Sequence, residues 1–301
     1  MSAMSLKRIA AVLLLLVAGS NAGGCQTEPT SSWEGAANLL ATSHDREALE
    51  KAAIALASSA DPQAVTRLGE FLRQPEFLAR LDEVASPTGK TWHLQRVLAS
   101  VGEHPSAATE RVCLALAADS AFLAIDDRRI YLLPALAAVR PMGQAAVAVF
   151  REATAEGYYN LNVLLLANNG SARALGLFEE MIRDKNIPVD QRVDALHSSL
   201  LPNRTNPAML DCADRLLDGP LERGVAIGVI ESIFDDHSAR WFPPIASPPT
   251  PTAWEEAPKP ALKKVLAMAD KVKGRRGLPP ELTAAVNRTA DTVQRILTGN
   301  R

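Results

Sequence analysis

Strand-forming patterns are missing from this chain. Over 301 residues no run of alternating β-branched or aromatic residues is bounded by hairpin turns, which removes sandwiches and barrels from consideration. Aromatic residues are scarce at 5%, whereas hydrophobic residues reach 47%, led by alanine and leucine, the composition of a helical globular chain. No apolar run is long enough for a mature bilayer span: Ile9 to Ala18 is ten residues, and a spanning helix needs about twenty. A formal charge of −2 carries no global basic excess, so nucleic acid is not an expected partner. Zinc-protease HExxH, a Gly-rich phosphate loop and a nucleophile elbow are all absent, and no catalytic residue, metal ligand or cofactor is assigned.

What is present is a succession of short amphipathic helices, clearest from Arg128 to Phe234. Residues three, four and seven apart share one helical face. On that spacing the apolar stripes are Ala146, Phe150 and Ala153; Leu175, Phe178 and Ile182; Val193, Leu196 and Leu200; Leu210, Ala213 and Leu217; and Ala226, Val229, Ile230 and Ile233. Arg151, Glu179, Arg192, Asp194, Asp214 and Glu222 fall between the stripes and are expected on wet faces.

Helix punctuation agrees with this division. Asp61-Pro62, Ser86-Pro87 and Asn206-Pro207 each put a side-chain acceptor at an N-cap and a proline at the first helical position, where its missing N–H costs nothing. Gly102, Gly157 and Gly219 are expected to close helices in the left-handed conformation. Asn169 and Gly170 read as a turn ending one helix, with Ser171 capping the next. Pro134 lies within the apolar run from Ile130 to Val139, frees the Ile130 carbonyl and is expected to kink or split that helix.

Spacing between helices is more informative than any one of them. The second helix of each pair is expected to begin near Gly89, Arg128, Tyr158, Val189 and Leu221, an interval of roughly 30 to 40 residues typical of helical-hairpin repeats. Pairs this short bury too little area alone and must stack. The segments Asp61-Pro62-Gln63-Ala64-Val65 with Leu68 and Leu72, Gln191-Arg192-Val193-Asp194-Ala195-Leu196, and Arg223-Gly224-Val225-Ala226-Ile227 resemble the HEAT repeat family in its short, HEAT-like form. The resemblance covers about Asp45 to Phe234. It implies an all-α fold, an α-α superhelix (an α-solenoid of HEAT-like hairpins), and a role in protein binding and scaffolding.

At the N-terminus, Lys7 and Arg8 precede the Ile9–Ala18 run, and small residues lead to Cys25, the form of a secretory leader. Ala22-Gly23-Gly24-Cys25 resembles a bacterial lipobox, with Ala22 where leucine is commonest; the resemblance implies a diacylated Cys25 as the new N-terminus. Two acyl chains suffice for stable membrane attachment. The alternative is ordinary cleavage after Ala22, leaving a soluble periplasmic or secreted protein with a free Cys25 thiol. Gln26, in place of an aspartate, favours the outer membrane.

Cys113 and Cys212 remain. They lie in first helices about three repeats apart, a separation beyond 20 Å at roughly 8–10 Å per packed helix, against a Cα limit of about 7 Å for a disulfide. Both therefore read as small buried apolar groups. Asp235-Asp236-His237 is the densest set of acid/base groups, but three consecutive residues at a helix end point in different directions, so a polar helix terminus is preferred over a catalytic or metal site. Asp126-Asp127 before Arg128-Arg129 reads as a helix-start charge pattern. His44, His93, His104 and His197 have no histidine or cysteine partner at ligand spacing and read as hydrogen-bonding residues.

After Phe234 the rhythm fails. The segment from Trp241 to Pro260 holds seven prolines and no apolar period, so an extended loop is expected. Its aromatic residues Trp241, Phe242 and Trp254 are candidates for docking a partner; alternatively the tryptophans pin the loop and seal the end of the core. Two helices follow, Ala261 to Lys273 and Pro280 to Leu297. Lys259, Lys263, Lys264, Lys271, Lys273, Arg275 and Arg276 against Asp270 give a local +6, read as a solvated helix face, with anionic headgroups or wall polymer as the alternative.

The expected organisation is a signal peptide over 1–24, a tether and first turn over 25–44, the repeat array over 45–240, the Pro-rich loop over 241–260 and a helical cap over 261–301. The expected function is an exported, lipid-anchored scaffold that binds a protein partner in the cell envelope. The rival is an envelope lyase or hydrolase using the Asp235, Asp236 and His237 cluster.

Overall fold

A computed structural model describes residues 33–82, 92–124, 128–235, 254–275 and 277–299. Among these residues the chain is all-α, with 16 helices and no strand. In order they are α1 (Trp33–Thr42), α2 (Arg46–Ala57), α3 (Pro62–Leu72), α4 (Pro75–Leu81), α5 (Trp92–Glu103), α6 (Ala107–Ala117), α7 (Ser120–Leu123) and α8 (Arg128–Ala138). Then come α9 (Gln144–Ala155), α10 (Tyr159–Asn169), α11 (Ala172–Arg183), α12 (Val189–Ser199), α13 (Pro207–Asp218), α14 (Arg223–Phe234), α15 (Lys259–Lys273) and α16 (Pro280–Thr298).

These helices form two layers. One runs α2, α5, α8, α10, α12, α14, α16, each packed on the next; the other runs α3, α6, α9, α11, α13, α15 in the same manner. Members of the first layer from α5 to α14 begin at residues 92, 128, 159, 189 and 223, the expected interval. The short α4 and α7 fill corners beside α3 and α6. The core lies between the layers and runs from Leu40 to Val293, because most helices offer it one apolar stripe, while α10 is buried nearly all round.

Both ends of the array extend further than the sequence suggests. The stretch expected as a tether contains α1, whose Trp33, Ala36, Ala37 and Leu40 make an i, i+3, i+4, i+7 stripe packed on the core. At the other end α15 packs on α13 and α16 on α14, so the two final helices continue both layers. Length explains the broken rhythm: 24 residues separate α14 from α15, which hides the period but not the packing.

Polar side chains bind each hairpin to its neighbour. Arginines reach the last carbonyls of adjacent helices, which have no intrahelical donor. Arg80 donates to the Leu40 and Ser43 carbonyls, at 2.8 and 2.6 Å, Arg140 to Asn168 and Arg183 to Arg215. Buried Asn169 donates through one amide group to both Ala137 and Val139, at 2.6 and 2.9 Å, tying the end of α10 to the end of α8. A charge ladder crosses the second layer: Arg151 of α9 meets Glu180 of α11 at 2.6 Å, Arg215 of α13 meets Glu179 of α11, and Lys264 of α15 meets Asp214 of α13 at 2.8 Å.

Three local expectations change. Gly157 does take a positive φ of 100°, as do Gly170, Gly277 and Gly299, but Gly102 and Gly219 do not. Gly102 sits inside α5, where an added Cβ would stand 3.1 Å from the Ala135 Cα of α8; its smallness lets two backbones approach. Gly219 is extended, and a Cβ there would collide with the Arg183 guanidinium that reaches the Arg215 carbonyl. Pro134 does not split its helix, since α8 is continuous from Arg128 to Ala138. The Asp61 and Asn206 caps are present, each accepting from a backbone N–H two residues on, whereas Ser86-Pro87 and Asp126-Asp127 lie outside the described residues.

Candidate functional site

Charged groups expected on wet faces are partly inside. Arg192 is 2% exposed, with its guanidinium donating to the Ile182 carbonyl at 3.3 Å and pairing with Glu222. This corrects its placement between stripes. The physical reason is that α12 is flanked by α10 and α14, so its first turn is covered on both sides, and the long arginine stem can reach from a core position to the helix end. Arg128 and Arg129 are buried as well. Arg128 lies over the Phe122 ring at 5.0 Å and donates to the Phe122 carbonyl at 3.0 Å; Arg129 pairs with Glu156 at 2.8 Å.

A second buried cluster of ionisable groups joins residues that no local pattern pairs. Glu50 of α2 is buried, pairs with His93 Nδ1 on α5 and meets Arg96 at 2.6 Å. Asp82, 3% exposed at the end of α4, accepts the His93 and Leu94 backbone N–H groups at 3.2 Å each, capping α5 from a distance of eleven residues. Burial pushes the Asp82 carboxyl above its ordinary range, against the pull of those two amides and of nearby Arg128. Burial likewise lowers the Arg128 guanidinium. Every strong acceptor here is already engaged by a helix start or a cation, so the cluster fastens α2, α4 and α5 together. Among the described residues no group of three His, Cys, Asp or Glu side chains is arranged to hold a metal ion.

Two further histidines have polar partners: His104 Nδ1 lies 3.1 Å from the Ser100 carbonyl, and His197 Nε2 is 3.5 Å from Glu231. Cys113 and Cys212 are fully buried free thiols on α6 and α13. Burial raises both, Cys113 to about 12.

Of the aromatic docking candidates, Trp241 and Phe242 lie outside the described residues. Trp254 is 1% exposed and packed on the core, with the Arg204 guanidinium 5.4 Å from its ring centre. It presents no ring to a partner, so docking is corrected to sealing at this position: Arg204, on the turn after α12, covers the indole. Asp235 ends α14, donating its N–H to the Glu231 carbonyl, while Asp236 and His237 lie outside the described residues, as does Cys25.

Part of the C-terminal basic stretch is engaged by α13, while Lys259, Lys263 and Lys273 are exposed. Lys264 pairs with Asp211 and Asp214 at 3.0 and 2.8 Å, Lys271 with Asp214 at 2.7 Å and also with Asp218, and Arg275 donates to the Leu217 carbonyl. A row of aspartates one helical turn apart on α13 thus neutralises a row of lysines on α15. The sequence carries both rows, but only packing sets them side by side.

No helix among the described residues is long and apolar enough to cross a membrane. Comparison with family models, curated proteins and solved structures gives no match.

Proposed function

We propose that this chain is an exported, lipid-anchored α-solenoid of HEAT-like hairpins that holds a protein partner in the bacterial cell envelope, tethered through Cys25 with the outer membrane favoured. The observation that supports the reading is the layer order: from α2 to α16 each helix of the two layers rests on the next of its own layer. Such a stack offers a long, rigid surface of repeated helices, suited to gripping an extended partner. The lipobox-like Ala22-Gly23-Gly24-Cys25 supports the anchor. Engagement of the ionic clusters in fastening helices supports shape over reactive chemistry as the contribution of this molecule.

Two measurements test it. Metabolic labelling with a palmitate analogue should mark the wild-type chain and not Cys25→Ser, which should leave the membrane fraction; unlabelled, soluble wild type removes the anchor. Affinity capture from envelope extract should recover a partner that half-buried Tyr131→Glu and Ile227→Glu, on first-layer helices α8 and α14, release without loss of helicity. Equal recovery by wild type and both variants rejects the first layer as the binding face.

A further inference from the structure

An open cleft of about 380 Å³ lies at the N-terminal end of the array, lined by Trp33 of α1, Pro62, Gln63, Thr66, Arg67 and Glu70 of α3, and Arg111 of α6. Its aromatic wall is fixed, because the Trp33 indole N–H donates to Asp61 Oδ2 at 2.9 Å and the half-buried ring packs partly on the core, with its remaining surface lining the cleft. Part of the rim is fixed too: Arg67 pairs with Glu70 and lies 4.8 Å from the Phe71 ring centre, and the Thr66 hydroxyl donates to the Pro62 carbonyl at 2.8 Å. Two planar groups are uncommitted. Among the described residues neither the exposed Arg111 guanidinium nor the Gln63 carboxamide has a partner.

We infer that this cleft binds a sugar residue carrying a carboxylate. A pyranose presents a flat set of C–H bonds to an indole face, the amphipathic surface a fixed tryptophan offers. Its neighbouring hydroxyls match planar amide, guanidinium and carboxylate groups around the edge, here Gln63, Arg67 and Glu70. Among the lining residues Arg67 and Glu70 cancel, which leaves Arg111 to meet a single anion, and its paired N–H donors suit a carboxylate; the neighbouring Asp61 carboxylate is engaged by the Trp33 indole N–H and the start of α3. The volume is near the lower end for ligand sites, room for one or two rings. An acidic peptide fits less well: it needs several free cations and a deep apolar anchor, and the cleft has one free arginine and an open mouth. This site is independent of the scaffold reading, since it lies on the second layer and needs neither the lipid nor a protein partner.

The test is NMR titration of the full ¹⁵N-labelled chain with methyl glucuronide and, separately, methyl glucoside, following the Trp33 indole N–H. Both should shift it, the glucuronide binding roughly tenfold more tightly, as one charge-assisted contact would give. Arg111→Gln should erase the preference and keep glucoside binding, while Gln63→Ala, an exposed change that leaves the fold intact, should weaken both. Trp33→Ala, followed instead on the backbone amides of Gln63 and Thr66, should abolish both. No shift with either sugar overturns the proposal, as does equal affinity for the two in the wild type, or a larger Trp33 response to tetraglutamate than to glucuronide.

Discussion

Arg192 stands inside the array with its guanidinium 3.3 Å from the Ile182 carbonyl, so an arginine on α12 completes the hydrogen bonding at the end of α11. Only 2% of it is exposed, and Glu222, ahead of α14, balances its charge. Three helices, α11, α12 and α14, therefore meet on one side chain. Arg192→Ala should cost about 2–3 kcal/mol, from the lost packing of the buried stem and a carbonyl left without its donor, since Glu222 is itself exposed and adds little. Arg192→Met, which keeps the buried stem, should cost clearly less. Urea unfolding monitored by circular dichroism measures both; equal losses would mean that the polar contacts contribute and the stem does not.

Two glycines on helices should respond in opposite directions. Gly176 of α11 has nothing within 4 Å of an added Cβ, so Gly176→Ala should stabilise by about 0.5–1 kcal/mol through helix propensity alone. Gly102 faces the Ala135 backbone at 3.1 Å, and backbone does not move aside as a side-chain tip would. Gly102→Val should force α5 from α8 and destabilise by about 1–3 kcal/mol. Thermal unfolding of the two variants decides the matter.

The contact of α15 with α13 should be pH-dependent at both extremes. Burial pulls the Asp214 carboxyl upward, but hydrogen bonds from Lys264 and Lys271 outweigh it and leave the group below its ordinary value. An acid lowered on folding contributes stability above its unfolded pKa of about 3.9, and that contribution is lost as pH falls through the folded value. Lys264 and Lys271 are raised, chiefly by the hydrogen bonds to Asp214, so their contribution is complete below about 10.4 and is lost as pH rises through their folded values. Stability of the α15–α13 contact, read by urea unfolding at each pH, should fall below about pH 4 and above about pH 10.5. Asp214→Asn, costing about 1 kcal/mol for a half-exposed network, should flatten the acid limb.

Cys113 and Cys212 should resist a soluble thiol reagent in the native state and react fully in denaturant, because both are 0% exposed and burial disfavours the thiolate. Intact mass after brief alkylation at pH 8 reads this directly. Rapid native labelling at either position would mean that the helix carrying it opens.

Much of the fold was legible. Local rules placed the stripes and the Asp61 and Asn206 caps, since each depends on residues within a helical turn, and the starts of α8, α10, α12 and α14 fell where the period put them. Trp33 to Leu40 was legible as well, yet its short, two-turn stripe stood beside a polar tract and read as tether. The sites were less legible. Trp254 and the basic residues of α15 are ordinary surface features until Arg204 and the aspartates of α13 are brought to them. Glu50 and His93 are 43 residues apart, and nothing local pairs them.

By itself the sequence determined that this is an all-helical chain, where most helices begin, and which face of each is dry, because helical periodicity and capping act over three to seven residues. Tertiary structure alone decided that the last two helices continue the layers, that Arg192 is an internal strut, that Gly102 and Gly219 are there for space, and that lysines meet aspartates across α13 and α15. Those outcomes depend on which helices become neighbours, a choice made by the shape of whole apolar faces and not by any short stretch of residues.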